Sequence, residues 1–272
     1  MQENFKLLFI GDIVGKCARL AVKKFLVDEN NAQKYDFIIA NGENASHGFG
    51  LTKKNHDELL SYGINCITSG NHIWDKKDIS SYIDESNNLV RPYNYHKSTQ
   101  GVGYIIFDNI IVANFLGKTF MPPIDCPFVA LEKMIEELKQ KCNLEEKILF
   151  VDFHAEATAE KQCFAKYASA LGVNCVIGTH THVQTADETI IDENCAYLTD
   201  AGFCGSKNSV IGMEYSGSIK RIITSINERF EVETSMPILL NACEIEFLNK
   251  KPIKINRINV SYDKVGECEN EN

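Results

Sequence analysis

The chain has 272 residues, of which 44% are hydrophobic and 24% are charged. This length can bury one substantial core, and the composition excludes disordered and fibrous proteins. The 28 basic side chains stand against 37 acidic ones, which gives a net charge of −9. Because proteins that grip long nucleic acids need a basic surface, we expect no long nucleic acid as a partner.

No apolar run reaches the roughly 18–20 residues that cross a bilayer, and we expect no contact with a membrane. The first residues, MQENFK, lack the basic and apolar regions of a secretory signal. The ten cysteines form no CxxC pair, and some, such as Cys66 and Cys175, lie within apolar runs. These features predict a cytoplasmic protein with free and mostly buried thiols.

Short apolar runs alternate with segments of helical periodicity through most of the chain. Gly63 and Gly172 each follow a helical segment at the position that ends a helix. A strand, a helix, a glycine and a strand in succession are typical of βαβ units, so we predict an α/β core with largely parallel strands. The predicted strands are 7–10, 37–40, 64–68, 110–115, 148–153 and 173–177, and the predicted helices are 18–30, 52–62, 77–85, 129–142 and 159–171.

The organisation changes after about residue 190, where long helices no longer separate the apolar runs. The runs 196–198, 219–226 and 243–247 are predicted to be strands of a second sheet with antiparallel character. Such a sheet would complete a sandwich flanked by helices. We predict one domain over residues 1–264 and a flexible acidic tail at 265–272.

Polar side chains follow five of the predicted strands, at the point where each strand ends. Ligands bind at the carboxyl ends of the strands in open α/β sheets, so these side chains are expected to meet at one rim. Taken singly, each has a structural interpretation: Asp12 as a helix cap, the asparagines as turn residues and His154 as a core histidine. Four of the seven histidines occur in the set, which comprises Asp12, Glu43, Asn44, Asn71, His72, His154, His180 and His182.

The chemistry of this set predicts a metal site. It offers carboxylate oxygens, amide oxygens and imidazole nitrogens, which suit Mn²⁺, Fe, Co²⁺ or Zn²⁺ better than Ca²⁺. The ligands outnumber what one small ion takes, so two ions are predicted. His180 and His182 could hold the same ion or adjacent ions, since residues i and i+2 of an extended segment point to one side. Two divalent ions would also reverse the local negative charge, as binding and hydrolysis of a phosphodiester require.

The order of these motifs resembles the calcineurin-like metallophosphoesterases: GD at 11–12, GEN at 42–44, GNH at 70–72, the single His154 and GTHTH at 178–182. Val14 and Glu43 stand where that superfamily usually has His and Asp, and both departures match its YmdB-like bacterial branch. The stretches that extend this resemblance over almost the whole chain are GDIVG, NGENASHGFG, SGNHIWD, DFHAEAT and GTHTHVQTADE.

The resemblance implies a four-layer α/β/β/α sandwich and a homo-oligomer. It also implies hydrolysis of 2′,3′-cyclic and 3′,5′-cyclic nucleotides by a metal-activated hydroxide. The site would hold two metal ions, which would be iron or manganese in preference to zinc or cobalt. His72 is implied to be the catalytic residue that protonates the leaving oxygen, a task that suits an imidazole near neutral pH. The implied ligands of one ion are Asp12, Glu43, Asn44 and His182. Glu43 would bridge to the second ion, whose other ligands would be Asn71, His154 and His180.

Several other polar residues are candidates for lesser roles. The carboxylates that could orient the ligating histidines, with ion-pair or turn roles as the alternative, are Asp75, Asp152 and Asp187. His47 is near enough to Glu43 in sequence to reach a substrate, with simple exposure as the alternative. His56 and His96 are expected at the surface.

Two other classes of function compete with a binuclear-metal phosphodiesterase. The first is a regulatory or interaction protein that metals stabilise and in which phosphodiesterase activity is residual. A structural metal site is normally closed, so an open coordination position would argue against this class. The second is metal-free nucleotide binding, which is disfavoured because the turn 11–15 is not GxGxxG and no GxxxxGK[ST] occurs.

Overall fold

The computed structural model describes residues 4–268, and its strands form two sheets. The elements in chain order are β1 (Asn4–Ile10), β2 (Asp12–Ile13), α1 (Gly15–Lys23), β3 (Phe37–Asn41), α2 (Lys53–Ser61), β4 (Cys66–Thr68), β5 (Tyr104–Ile106), β6 (Ile110–Leu116), α3 (Pro127–Lys141), β7 (Ile148–His154), α4 (Thr158–Ala170), β8 (Cys175–Thr179), β9 (Thr189–Ile191), β10 (Cys195–Leu198), β11 (Phe203–Ser206), α5 (Tyr215–Thr224), β12 (Ile238–Leu248) and β13 (Lys251–Tyr262).

Both sheets contain the predicted parallel strands. The first has the order β2-β11-β12-β1-β3-β4, with β13 paired to β12, and β1, β3 and β4 run parallel in it. The second has the order β5-β6-β7-β8-β10-β9, and β6, β7, β8 and β10 run parallel. Parallel strands end at the same edge of a sheet, so each sheet presents one rim of strand ends.

Apolar clusters show how the layers pack. Side chains from both sheets fill the space between them, and the rings of Phe9 and Phe150 lie 5.2 Å apart there. The outer face of the first sheet packs against α1 and α2, and the outer face of the second packs against α3 and α4. The order of layers is helices, sheet, sheet, helices, which confirms the predicted α/β/β/α sandwich.

The ends of α2 and α4 are as the sequence predicts. The Thr52 side chain accepts a hydrogen bond from the Asn55 backbone N–H and caps the start of α2. Gly63 and Gly172 follow the two helices with φ of 97° and 90°. In that left-handed conformation a side chain would be strained, so glycine ends both helices.

The predicted strand at 219–226 is wrong, because this segment lies mostly in α5. Its apolar residues are all isoleucines, which favour strands, but they recur at 219, 222, 223 and 226. That spacing places them on one face of a helix. Two predicted helices are also less regular than expected: residues 77–85 form the 3₁₀ turns Lys77–Ser81 and Ile83–Glu85, and α1 passes into the π-helical turn Lys24–Asp28.

The antiparallel character predicted after residue 190 is confirmed for β11, β12 and β13, but these strands share a sheet with β1, β3 and β4. β10 pairs parallel with β8 in the second sheet, whereas β12 pairs antiparallel with β1 in the first. Strands β5 to β8, from the middle of the chain, belong to the second sheet. The later strands are divided between the two sheets: β9 and β10 lie in the second, and β11, β12 and β13 in the first. Of the predicted tail, Val265 and Cys268 pack against the first core, and residues 269–272 lie outside the described range.

The thiols agree with the sequence prediction. All ten cysteines are free, and those that are buried are Cys17, Cys66, Cys175, Cys195, Cys204 and Cys243. Within residues 4–268, every helix is too short or too polar to cross a membrane.

Candidate active site

The carboxyl ends of five strands, drawn from both sheets, meet at one edge of the sandwich. The structure brings together all eight residues that the sequence predicts there. They are Asp12 after β1, Glu43 and Asn44 after β3, Asn71 and His72 after β4, His154 at the end of β7, and His180 and His182 after β8.

His154 lies at the centre of a first group of candidate ligands. Its Nε2 is 3.1 Å from Glu43 Oε1, 3.0 Å from Asn71 Oδ1 and 3.0 Å from His180 Nδ1. Ligand atoms of Glu43, His154 and His180 all lie within 4.8 Å of one another. These three residues form a cluster that could hold a metal ion.

Hydrogen bonds behind His154 determine which of its nitrogens faces this cluster. The Thr179 hydroxyl donates to Asp152 Oδ1 at 2.6 Å, so its oxygen accepts from His154 Nδ1 at 2.9 Å. Nε2 therefore faces the oxygens of Glu43 and Asn71, and Glu43 raises the pKa of His154 against the effect of burial. Several acceptors around one point repel each other unless a cation lies between them, so the donor set fits a metal ion.

Asp152 itself is enclosed by donors. Thr68 Oγ1 donates to its Oδ2 at 2.5 Å and Asn41 Nδ2 at 3.0 Å, in addition to Thr179. Burial raises the pKa of Asp152 to about 7, against the effect of His154 and the two hydroxyl donors. Asp152 thus acts on His154 through Thr179, as expected for a carboxylate that orients a ligand.

A second group of candidate ligands lies on the other side of Glu43. His182 Nε2 is 3.7 Å from Asp12 Oδ1 and 3.4 Å from Asn44 Nδ2, and Asn44 Nδ2 is 3.3 Å from Glu43 Oε1. His182 Nδ1 donates to the Ile211 carbonyl at 2.8 Å, which again directs Nε2 into the site. The Glu43 carboxylate contacts side chains of both groups, and Asp12 Oδ2 also accepts the His180 backbone N–H at 3.2 Å.

The charges of the two carboxylates require compensation. Asp12 is fully buried, and its Oδ1 has no hydrogen-bond partner among the described residues. Burial opposes ionisation, yet His182 holds the pKa of Asp12 well below its usual range, and His154 lowers that of Glu43. Against burial, Asp12 raises the pKa of His182 to about 9. A buried carboxylate oxygen without a hydrogen bond favours a cation beside it, and a metal ion between Asp12 and His182 would fit that position.

The loop that carries His180 and His182 has a strained backbone and is anchored by hydrogen bonds to Asp200. Both histidines have positive φ, 97° and 64°, which is uncommon for residues with a side chain. Between them, the Thr181 N–H and hydroxyl donate to Asp200 Oδ2 at 3.0 and 2.7 Å. Lys161 Nζ, buried on α4, lies 2.7 Å from the same oxygen and 2.7 Å from the Thr179 carbonyl. This ion pair fixes the loop.

Neither member of that pair is among the residues predicted from the sequence. Lys161 is a cation at an inward position of α4, and Asp200 follows β10 as the ligands follow their strands. The position of Asp200 directly after a strand is the signal that could have identified it from the sequence. Phe203 is a further residue with no role predicted from the sequence, and its ring stacks on that of His182, with ring centres 5.5 Å apart and planes 12° apart.

His72 lies beside the two groups and is partly exposed. Its backbone N–H donates to Glu43 Oε2 at 2.9 Å, and its Nδ1 lies 2.7 Å from Asp75 Oδ2. Asp75 therefore orients His72, and not one of the ligating histidines for which the sequence made it a candidate. Asp187, the third carboxylate considered for this role, instead accepts the Thr199 N–H at 3.2 Å and contacts none of the candidate ligands.

The three remaining histidines lie outside the two ligand groups and differ in their exposure to water. His47 is exposed and lines a neighbouring cavity of about 660 Å³. The expectation that His56 lies at the surface is wrong: it is 3% exposed and packs against the ring of Tyr82 at 5.4 Å. Its position on α2, three residues before the buried Leu59, turns it inward. His96 is exposed, as predicted.

A cavity of about 990 Å³ opens beside the candidate ligands. Its lining includes Glu43, His72, His180 and His182 together with apolar side chains such as Ile211, Met213 and Phe230. A cavity of this size can admit a ligand as large as a nucleotide.

A two-sheet sandwich with histidine, asparagine and carboxylate side chains between its strand ends is the arrangement of a metallophosphoesterase. The sequence model of the YmdB-like proteins matches residues 8–258, and the chain belongs to this family. The chain is 41% identical to the 2′,3′-cyclic-nucleotide 2′-phosphodiesterase of Bacillus subtilis over 263 aligned residues. The alignment covers 95% of this chain and 98% of that protein.

Solved structures support the same relationship. The fold matches the crystal structure of a Mycoplasma pneumoniae phosphatase with a TM-score of 0.87 and 35% identity, over 96% of this chain and 95% of that one. It matches a Thermus thermophilus protein with a TM-score of 0.88 and 33% identity, over 94% and 99%. These comparisons confirm the predicted family, fold and enzyme class.

Proposed function

We propose that this protein hydrolyses 2′,3′-cyclic nucleotides with two metal ions, and 3′,5′-cyclic nucleotides as a second activity. The observation that carries the proposal is the convergence of carboxylate, imidazole and amide side chains on either side of Glu43. The name of the Bacillus relative supports the cyclic substrate. The proposed ligands are Asp12, Glu43, Asn44 and His182 for one ion, and Glu43, Asn71, His154 and His180 for the other. Their mixed nitrogen and oxygen donors suit iron or manganese.

The proposed reaction divides between the ions and this chain's own residues. When bound, two metal ions activate water and stabilise the charge that develops on the phosphate. The water oxygen bonds to phosphorus while the bond from phosphorus to one ribose oxygen breaks. His72 gives its proton to that leaving oxygen. Because Nδ1 of His72 is directed to Asp75, Nε2 is the atom that delivers the proton.

The structure also bears on the competing hypothesis of a metal-stabilised regulatory protein with residual activity. A structural metal site is closed by its protein ligands. Here the 990 Å³ cavity reaches both histidines of the 180–182 loop and His72. This access favours catalysis. Three further features stay predictions: a single domain over residues 1–264, a cytoplasmic location and a homo-oligomer. The free buried thiols support the cytoplasmic location.

The experiment that tests the proposal is hydrolysis of 2′,3′-cyclic AMP by protein purified without chelator. It is measured with and without added Mn²⁺ and beside an EDTA-treated control, with metal content determined on the same samples. Metal-dependent hydrolysis with about two ions per chain supports the proposal. Two bound ions without activity on this or a generic phosphodiester would favour the regulatory hypothesis. Protein that takes up no metal would refute both.

A further inference from the structure

The cavity beside the candidate ligands has an apolar wall that phosphate chemistry does not need. The wall comes from the chain between β11 and β12, and several of its side chains are open to water. Ile222 is 73% exposed and Ile211 50% exposed. The apolar residues that line this side of the cavity are Val210, Ile211, Met213, Ile222 and Phe230.

The wall is a folded unit and not a loose loop. Val210 and Met213 form an isolated bridge before α5, and Met213 pairs with Val232 beyond it. After α5 the chain turns at Ser225, which has φ of 58°, and returns along the helix. The return places the Phe230 ring 4.9 Å from the Arg221 guanidinium. These two groups therefore lie close together, and both line the cavity.

Phe49 connects this wall to the reacting groups. Its ring lies 4.9 Å from the His72 ring and 6.4 Å from the Phe230 ring. Phe49, Phe230 and His72 all line the same cavity. Flat side chains thus extend from the proposed proton donor to the apolar wall without leaving the cavity.

We propose that this wall is the nucleobase subsite, with the base packed against Phe230, Ile222 and Phe49 while the cyclic phosphate lies at the candidate metal ligands. The proposal rests on the proposed function, because it assumes a nucleotide substrate. A base is flat and weakly hydrated on its faces, so it stacks on aromatic rings and guanidinium planes. An occupant that reaches both the wall and the metal ligands must combine an apolar flat part with a phosphate.

The test compares two substrates and three variants. The substrates are 2′,3′-cyclic AMP and methyl ribofuranoside 2′,3′-cyclic phosphate, which lacks the base. The variants are Phe230→Ala, Ile222→Ala and, as a matched control, Ile223→Ala. Ile223 neighbours Ile222 on α5 and is 74% exposed, but it does not line the cavity.

We expect Phe230→Ala to lower kcat/KM for the nucleotide by about tenfold, mainly through KM, as loss of base stacking does. We expect a much smaller loss for the base-free substrate. Ile222→Ala should show the same selectivity to a lesser degree, and Ile223→Ala should match the wild type. Equal losses on both substrates would overturn the proposal, as would a wild type that shows no preference for the nucleotide.

A second measurement separates this proposal from the proposed function. Adenosine binding to the wild type and to Ile222→Ala is measured by calorimetry, which requires no turnover. Weaker binding in the variant supports the subsite even if neither substrate is hydrolysed, in which case the proposed function fails alone. Absence of adenosine binding to the wild type would overturn the subsite. Thermal unfolding of each variant shows whether the fold is retained, and Ile222→Ala serves if Phe230→Ala unfolds.

Discussion

The Asp75 carboxylate lies 2.7 Å from Nδ1 of His72, and the Asp75 backbone N–H donates to the His72 carbonyl at 3.0 Å. The two residues are therefore joined through both side chain and backbone. This pairing fixes the imidazole ring in one orientation. It leaves Nε2 available to a substrate in the cavity, and neither residue is needed to complete the two groups of candidate ligands.

The first prediction concerns His72→Ala. We expect kcat for 2′,3′-cyclic AMP to fall by about 10²–10⁴-fold, the usual contribution of a general acid. The metal content should stay that of the wild type, because His72 is outside both ligand groups. Steady-state kinetics and elemental analysis measure the two effects. His96→Ala, which changes an exposed histidine, is the control. Loss of metal from His72→Ala would show that His72 is a ligand.

The second prediction concerns Asp75→Asn. The amide cannot pair with His72 as a carboxylate does, so the ring is less firmly oriented. We expect kcat to fall by about tenfold, less than when the proton donor itself is removed, with KM little changed. Asp192→Asn, at an exposed position, is the matched control. Turnover equal to the wild type would mean that Asp75 has no positioning role.

The third prediction concerns metal content. Glu43 contacts both ligand groups, whereas Asn71 contacts only the group around His154. We therefore expect Glu43→Gln to lose metal from both sites and Asn71→Ala to lose mainly one ion. Elemental analysis after dialysis measures this difference, with Glu193→Gln as an exposed control. Equal metal content in Glu43→Gln and the wild type would refute the bridging position of Glu43.

The fourth prediction concerns the buried ion pair. Lys161 and Asp200 are 1% and 0% exposed. Lys161→Met leaves the Asp200 charge buried without its partner, which costs about 3–5 kcal/mol of the free energy of unfolding. Urea unfolding measures this loss. Addition of Asp200→Asn to Lys161→Met should cost less than the sum of the single changes, and strict additivity would show that the two side chains do not interact.

The fifth prediction concerns pH and His56. Burial lowers the pKa of His56, although Asp57 opposes this shift. Below the unfolded-state pKa of about 6.5, the unfolded chain binds a proton that the folded chain resists, so the wild type loses stability as the pH falls. His56→Gln lacks this effect. The stability of the wild type relative to the variant should therefore decrease from pH 7.5 to 5.5, by at most about 1.4 kcal/mol per unit. Urea unfolding at each pH tests this, and a constant difference would contradict it.

Much of the fold could be predicted because its signals are local. A glycine after a periodic segment marks the end of a helix, as Gly63 and Gly172 do, and β-branched runs between such segments mark parallel strands. The segment that became α5 was misread because its isoleucines favour strands by type and a helix by spacing. Spacing prevailed and the segment is helical, although Ile222, Ile223 and Ile226 are exposed.

The candidate site was predictable for a different reason. Strand ends of a parallel sheet share one rim, so topology brings residues such as Asp12 and His154 together although they are far apart in sequence. No comparable rule pairs Lys161 with Asp200, which lie on a helix and a loop 39 positions apart. Likewise, the apolar wall around Phe230 has the composition of a buried core, and only the folded chain shows that it faces a cavity.

The candidate ligands come from both sheets, and this division links catalytic activity to the docking of the sheets. Every candidate ligand before residue 72 follows a strand of the first sheet, and every one after it belongs to the second. Neither half of the chain alone contains the complete set, so the ligands converge only when the two sheets dock. Catalytic activity therefore reports completed folding: during refolding it should return in the last phase, and one proteolytic cut that lets the sheets separate should abolish it in a single step.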